Sequence, residues 1–137
     1  MILCDAGPLV ALINRRDNNH ELCAATLPAL RAPLITTWPC LDEAMHLLYR
    51  YGGYAAQQTL WSYLADDMVT LHIGTETECA RMRVLMETYS DAPMDFADAS
   101  IVAAAESLGV RRVFTLDRHF YFYRIEDAAF EVVPARR

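Results

Sequence analysis

The sequence of 137 residues contains no lysine, has 12 arginines and carries a formal net charge of −6. Proteins that coat nucleic acid without sequence preference depend on clustered cations, so this acidic balance argues against that class. Arginine does suit forked contacts to phosphate. A local basic rim therefore remains compatible with the sequence, and six residues are candidates for it: Arg15, Arg16, Arg111, Arg112, Arg118 and Arg124.

Several chemical motifs are also missing. No C-x-x-C pair occurs, which excludes a zinc ribbon and a thioredoxin-type motif. We interpret the widely spaced cysteines as buried, reduced thiols of a cytoplasmic protein; they are Cys4, Cys23, Cys40 and Cys79. Neither of the glycine-rich phosphate loops, G-x-G-x-x-G and Walker A, is present.

Long apolar runs are absent as well. No stretch reaches the roughly 18 uninterrupted apolar residues of a membrane span. The first residues include no basic region and their apolar run is broken at Asp5, so they do not form a signal peptide. We therefore predict a cytoplasmic protein without a membrane partner, folded as one domain over residues 1–137.

Apolar runs alternate with segments of helical periodicity along the chain. Alternation of this kind predicts an α/β fold, with a mostly parallel central sheet of four to five strands flanked by helices. Gly52–Gly53 is predicted to end the helix that follows the second strand, and Gly109 a later, alanine-rich one. The predicted strands are 1–4, 33–37, 68–73, 111–116 and, near the end, 130–133.

Two helical stripes support this assignment. One has apolar residues at i, i+3, i+4 and i+7, namely Leu41, Ala44, Met45 and Leu48. The other places on one face Ala97, Ile101, Ala104, Ala105 and Leu108.

Four acidic residues lie at the end of a predicted strand or near the start of a predicted helix. Asp5 ends the first strand and Asp117 ends the fourth. Glu43 lies just over one turn into the helix after the second strand, and Asp98 lies in the first turn of the alanine-rich helix. Ligands of parallel sheets bind outside the carboxyl ends of the strands. We therefore expect all four carboxylates to converge there.

Such a cluster repels itself strongly. Two like charges ~4 Å apart cost about 4 kcal/mol at an effective dielectric of ~20, so protons or cations must neutralise the group. Oxygen ligands without a thiolate or imidazole beside them favour Mg²⁺ or Mn²⁺ over zinc. Hard divalent ions held by acids are typical of phosphodiester cleavage.

Each acid also has a simpler interpretation. Asp5 could be a turn former or helix N-cap, and Glu43 a solvated helix residue. Asp95 is the better N-cap of its helix, with its side chain reaching the amide of Asp98. Asp42 points about 100° away from Glu43 around the helix and is expected to be exposed. No triad or metal spacing links the histidines, which we interpret as structural or surface residues: His20, His46, His72 and His119.

Taken together, the acidic segments resemble the PIN-domain ribonucleases, and specifically the VapC-type toxins of bacterial and archaeal toxin–antitoxin pairs. The resemblance covers nearly the whole chain. Its carriers are "LCDAGPLVALIN" with Asp5, "ITTWPCLDEAMHLL" with Glu43, "DFADASIVAAAE" with Asp98, and "VFTLDRHF" with Asp117.

The resemblance implies an endoribonuclease that depends on Mg²⁺ or Mn²⁺, acts on RNA as a homodimer and is neutralised by a separately encoded antitoxin. Asp5, Glu43, Asp98 and Asp117 would be its catalytic, metal-binding acids. Asp95 is an additional candidate ligand for a second ion. Thr115 matches a hydroxyl position that orients the last carboxylate or a phosphate. Two further matches, to one subgroup and without a role, are Asp17 and His20.

Surface features leave alternatives open. The aromatics of "YFYR" and "YGGYAAQQTLWSYL" would form a dimer seam, form a groove for an antitoxin helix, or simply close the core. Arg15, Arg16 and Arg118 would steer RNA, pair with an antitoxin carboxylate, or have neither role.

Two other functions compete with the nuclease. A haloacid-dehalogenase-like phosphatase also uses an aspartate after its first strand, but it needs a second acid two residues later, where this chain has Gly7, and a lysine. A non-enzymatic module working through an antitoxin complex on DNA would not need the intact acidic quartet.

Overall fold

Strands and helices alternate along residues 1–135, the part of the chain that this computed structural model describes. In chain order the elements are β1 Ile2–Cys4, α1 Ala6–Ile13, α2 His20–Leu30, β2 Leu34–Thr37, α3 Trp38–Ala65, β3 Val69–His72, α4 Glu76–Thr88, α5 Phe96–Leu108, β4 Arg112–Phe114, β5 Arg124–Ile125, β6 Ala128–Ala129 and β7 Glu131–Val133. The predicted α/β class is confirmed.

The central sheet has five strands in the order β3-β2-β1-β4-β7, and every neighbouring pair is parallel. The chain moves outward from β1 through β2 to β3, then returns on the other side of β1 to β4 and β7. The point where the order reverses lies between β1 and β4, and a crevice opens there at the carboxyl ends of the two strands.

Burial on both faces explains the continuous apolar run at the start of the chain. Ile2, Leu3 and Cys4 are completely buried, as expected for the middle strand of a sheet covered by helices on both sides. Leu3 pairs with Ile35 of β2 and with Val113 of β4.

Helix α5 is buried more completely than its sequence pattern suggested. All nine residues 97–105 are buried, whereas Leu108, predicted on the apolar face, is exposed. A single stripe therefore describes α5 incorrectly. Its small alanines allow close packing against α3 and α4, so neighbouring helices cover it on more than one side.

Helix α3 is broken at Gly52–Gly53, as the sequence predicted. Both glycines have non-helical dihedral angles, and Gly53 adopts φ 62°, ψ −152°. A straight helix would separate residues 45 and 57 by about 18 Å, yet the Gln57 side-chain amide donates to the Met45 carbonyl at 3.0 Å. The second half of α3 therefore folds back along the first.

The segment after β4 contains structure that the sequence analysis did not predict. A single 3₁₀ turn covers Arg118–Tyr121, and β5 and β6 form a two-residue antiparallel pair. Elements this short carry no usable periodicity. Edge-to-face rings fix the segment instead, with Phe120 5.2 Å from Tyr123 and 5.4 Å from Phe130 between centroids.

Three of the cysteines are buried thiols as predicted: Cys4, Cys23 and Cys40. The prediction is wrong for Cys79, which is exposed on α4 beside the buried Glu78 and Met82. None of the helices described is both long and apolar enough to span a membrane.

Candidate active site

Five carboxylates line one cavity of about 250 Å³ at the carboxyl ends of β1 and β4. The predicted convergence is thus present, and Asp95 joins the other four. Gly7 and Leu116 complete the wall. The acidic lining consists of Asp5, Glu43, Asp95, Asp98 and Asp117. We refer to this space as the acidic cavity.

Asp5 lies at the bottom of the acidic cavity and is only 8% exposed. Its Oδ1 accepts from the Ala6 amide at 2.8 Å, which makes it the N-cap of α1. Its Oδ2 accepts from the Thr115 hydroxyl at 2.8 Å. The same side chain therefore caps α1 and lines the acidic cavity.

Thr115 connects the acids at the ends of β1 and β4. Besides donating to Asp5, its Oγ1 accepts from the backbone amide of Asp117 at 3.0 Å. The hydroxyl is almost completely enclosed, since Thr115 is 1% exposed. It therefore fixes the Asp5 carboxylate relative to the backbone of Asp117.

Asp95 and Asp98 form a reciprocal capping box at the start of α5. The Asp98 amide donates to Asp95 Oδ1 at 2.8 Å, as predicted, and the Asp95 amide donates to Asp98 Oδ2 at 3.1 Å. Asp98 Oδ2 also accepts from the Tyr123 hydroxyl at 3.3 Å. Capping thus explains how Asp95 is held, while its exposed side chain still borders the cavity.

His119 is a site residue that sequence reasoning missed. Its Nδ1 lies 2.7 Å from Asp117 Oδ1, and its backbone amide donates to the same oxygen at 2.9 Å. The ring stacks on Tyr123 at 6.4 Å between centroids. The available signal was a histidine two residues beyond an acid at a turn, a spacing that allows this local contact. An imidazole does therefore lie beside the acids, contrary to expectation.

The other histidines lie apart from the acidic lining. His20 contacts the Ala11 carbonyl through Nδ1, and His72 lies 2.8 Å from Glu78. A thiol does touch the site, because Cys40 Sγ donates to Asp5 Oδ1 at 3.6 Å. Burial and the neighbouring Asp5 raise the pKa of Cys40 well above its usual range, so this sulfur remains a protonated donor.

In addition to the effect of burial, the carboxylates of the acidic cavity raise one another's pKa values by mutual repulsion. Burial, and then repulsion by Asp117, raises the pKa of Asp5. Partial burial together with Asp5, Asp95 and Asp117 raises the pKa of Glu43, although much of that residue is exposed. Burial together with Asp95, Asp5 and Asp117 raises the pKa of Asp98 to about 7. Accumulated negative charge in the acidic cavity is therefore costly.

No arginine offsets this charge within the described part of the chain. The arginine ion pairs there join Arg81 to Glu106 and Arg112 to Glu131, both away from the cavity. Apart from the His119 imidazole beside Asp117, the lining offers carboxylate oxygens, which are the donors that Mg²⁺ and Mn²⁺ prefer. Among residues 1–135 no three acidic, histidine or cysteine side chains are already arranged as a coordination shell. The fit to a hard cation rests on donor chemistry and uncompensated charge.

Comparison with known proteins identifies the family. The model of the PIN domain matches residues 2–127, which is most of the chain. The chain belongs to the PIN-domain family. The resemblance of the acidic segments to the PIN-domain family is thereby confirmed. No curated protein matches this PIN domain.

A solved structure shares the fold of this PIN domain. It is VapC20 of Mycobacterium tuberculosis, described as a toxin that cleaves the sarcin–ricin loop. The TM-score is 0.78 at 21% sequence identity, and the match covers 85% of this chain and 90% of VapC20. At that identity the similarity establishes a common fold.

The aromatic residues of the two segments singled out in the sequence differ in their exposure. Tyr121 and Phe122 are exposed, whereas Tyr123 is buried and contacts Asp98. Tyr54 and Trp61, on the second half of α3, are also exposed. Closing the core therefore accounts for Tyr123 alone among these five.

Proposed function

We propose that this PIN domain is a metal-dependent endoribonuclease and the toxin of a toxin–antitoxin pair. The observation that carries the proposal is the acidic cavity, where five carboxylates meet at the ends of β1 and β4 without an arginine partner. The shared fold with a toxin that cleaves the sarcin–ricin loop supports RNA as the substrate.

Some residues of the site would bind the ion, and others orient the carboxylates that bind it. Asp5, Glu43, Asp98 and Asp117 would hold Mg²⁺ or Mn²⁺, and Asp95 is a further ligand for a second ion. Such an ion supplies the Lewis acidity that phosphodiester hydrolysis requires. The Asp5, Asp98 and Asp117 carboxylates are oriented by neighbouring hydrogen-bond donors and retain lone pairs for further contacts.

The helices and strands that carry these acids are rigid supports. Asp5 ends a fully buried strand, and Asp98 lies in the first turn of the buried helix α5. Rigid placement matters because phosphate transfer depends on fixed geometry more than on covalent participation by the protein. The acidic cavity is thus a preorganised anionic site that would attract a cation.

The partners of the proposed toxin follow from the same proposal. We expect a cytoplasmic homodimer that is inhibited by an antitoxin encoded beside it. Where a short reading frame for an antitoxin-like protein lies beside the gene, its coexpression should give a stable complex with suppressed ribonuclease activity. Cleavage that continues at saturating antitoxin would contradict the toxin–antitoxin assignment.

Cleavage of a structured RNA tests the nuclease directly. The purified chain is incubated with a sarcin–ricin-loop hairpin in Mg²⁺, in Mn²⁺ and in EDTA. We expect cutting only with metal, and a loss of about 100-fold or more in Asp5→Asn and Asp98→Asn. Asp91→Asn, an exposed aspartate outside the cavity, is the matched control and should retain full activity.

Two results would overturn this assignment. Equal cleavage by the wild type and both cavity variants would show that the acids are not the active site. Hydrolysis of small phosphomonoesters in place of RNA would indicate a phosphatase.

A further inference from the structure

A second cavity, of about 570 Å³, adjoins the acidic cavity. Glu43 and Asp95 line both spaces, so a molecule that fills one extends towards the other. The remaining wall is mostly apolar and includes Trp38, Trp61 and Phe96. We call this space the aromatic groove.

The three large rings of the aromatic groove are half-exposed. Trp38 is 54%, Trp61 50% and Phe96 54% accessible to solvent. Trp38 is the first residue of α3 and Phe96 the first of α5. Trp61 reaches the same wall because α3 folds back at Gly52–Gly53. Three separate segments thus present flat apolar surface to solvent beside the acids.

The charge of the groove restricts what binds there. Its charged lining residues are Asp42, Glu43 and Asp95, and its lining includes neither arginine nor histidine. A phosphate group would be repelled by this wall. A nucleobase is neutral and flat, stacks on aromatic rings, and carries N–H donors that suit carboxylate oxygens.

We propose that the aromatic groove holds an unpaired base of the RNA substrate, next to the phosphate that the acidic cavity acts on. This inference rests on the proposed ribonuclease function. One RNA strand then contacts both adjoining sites: its phosphate lies at the carboxylates, and its base stacks on the aromatic rings. The groove then selects RNA that presents an unpaired base beside the cleaved bond.

The chain contains a built-in reporter for this contact. It has two tryptophans, and both line the aromatic groove. Octa-adenylate and an abasic octamer with the same sugar–phosphate backbone serve as probes. They are titrated in Ca²⁺, which also binds carboxylate oxygens but at longer distances than Mg²⁺. A gel confirms that the oligomers stay intact. We expect quenching by octa-adenylate and much less by the abasic octamer.

Substitutions separate stacking from general apolar contact. Trp38→Leu keeps apolar surface but removes the large ring, and it should weaken octa-adenylate binding about tenfold, with Trp61 as the remaining reporter. Trp38→Phe keeps a ring and should stay close to the wild-type affinity. Tyr54→Leu is the matched control, since Tyr54 is 64% exposed and lies outside the groove. It should leave binding unchanged.

Several outcomes would overturn the groove assignment. One is equal quenching by octa-adenylate and the abasic octamer, and another is undiminished RNA affinity in Trp38→Leu. A third is the loss of a dimer or of antitoxin binding in Trp38→Leu while RNA affinity stays unchanged, which would make the groove a protein interface.

The cleavage assay keeps the two proposals separate. RNA cleavage without base-dependent quenching would leave the nuclease intact and refute the groove assignment. Base-dependent quenching without cleavage in any metal would refute the nuclease but support base binding in the groove.

Discussion

Thr115 links the acids at the ends of β1 and β4. Its hydroxyl donates to Asp5 and accepts from the Asp117 amide, so one buried oxygen sets the distance between two strand ends. Groups of this kind act through the ligands they orient, and their loss lowers metal affinity or activity without removing a ligand.

Substitution of Thr115 tests that role. Thr115→Val removes the hydroxyl while preserving shape, and we expect kcat/KM for RNA cleavage to fall about 10- to 100-fold. Thr115→Ser retains the donor and should keep most of the activity. Steady-state kinetics at several Mn²⁺ concentrations provides the measurement, because a positioning role also raises the Mn²⁺ concentration at half-activity. A Val variant with wild-type kinetics and metal dependence would exclude the role.

At the residue scale, the sequence predicted that the acids converge because two of them end recognisable strands and two lie near the start of recognisable helices. It missed the contacts of His119 and Cys40 for different reasons, one local and one tertiary. His119 contacts Asp117 through a local turn, and Cys40 meets Asp5 only after β1 and α3 pack together.

The break in α3 is the element that creates the aromatic groove. Gly53 holds φ 62° with ψ −152°, a region that is essentially restricted to glycine. The sequence predicted that the helix ends there. The reversal of direction was not predictable, because it depends on these particular dihedral angles and not on composition.

Replacement of Gly53 should therefore be costly although space is available. No atom lies within 4 Å of an added Cβ, so the penalty arises from the backbone alone. We expect Gly53→Asn to lower the free energy of unfolding by about 1–3 kcal/mol, measured by urea denaturation. Gly109→Asn is the control, since φ 68° with ψ 32° is left-handed helical geometry that asparagine tolerates. Equal effects at the two positions would contradict this explanation.

The order of strands determines where the site forms in the whole molecule. Alternating strands and helices predicted the parallel sheet, and the acids predicted the edge at which they meet. Alternation alone does not give the order β3-β2-β1-β4-β7, which depends on how the crossover helices pack. That order makes β1 and β4 neighbours, and it brings Asp5 beside Asp117.

Charge balance is the property of the whole molecule on which this account depends. The acidic cavity lowers stability when no cation is bound, because its carboxylates repel one another without an arginine partner. An ion bound there would offset this repulsion, and the stabilisation would grow as the logarithm of its concentration once that exceeds the dissociation constant. Removal of one carboxylate should therefore stabilise the metal-free protein and reduce the stabilisation that a divalent ion gives.

Thermal unfolding of the wild type and Glu43→Gln, each in EDTA and in Mn²⁺, tests this claim most directly. We predict that Glu43→Gln has the higher Tm in EDTA, that Mn²⁺ raises the wild-type Tm by several degrees, and that the variant gains clearly less. Asp42 neighbours Glu43 but is exposed and lies outside the acidic cavity. In Asp42→Asn, Mn²⁺ should raise the Tm by as much as in the wild type. A lower Tm of Glu43→Gln in EDTA, together with a Mn²⁺ gain equal to that of the wild type, would contradict the account.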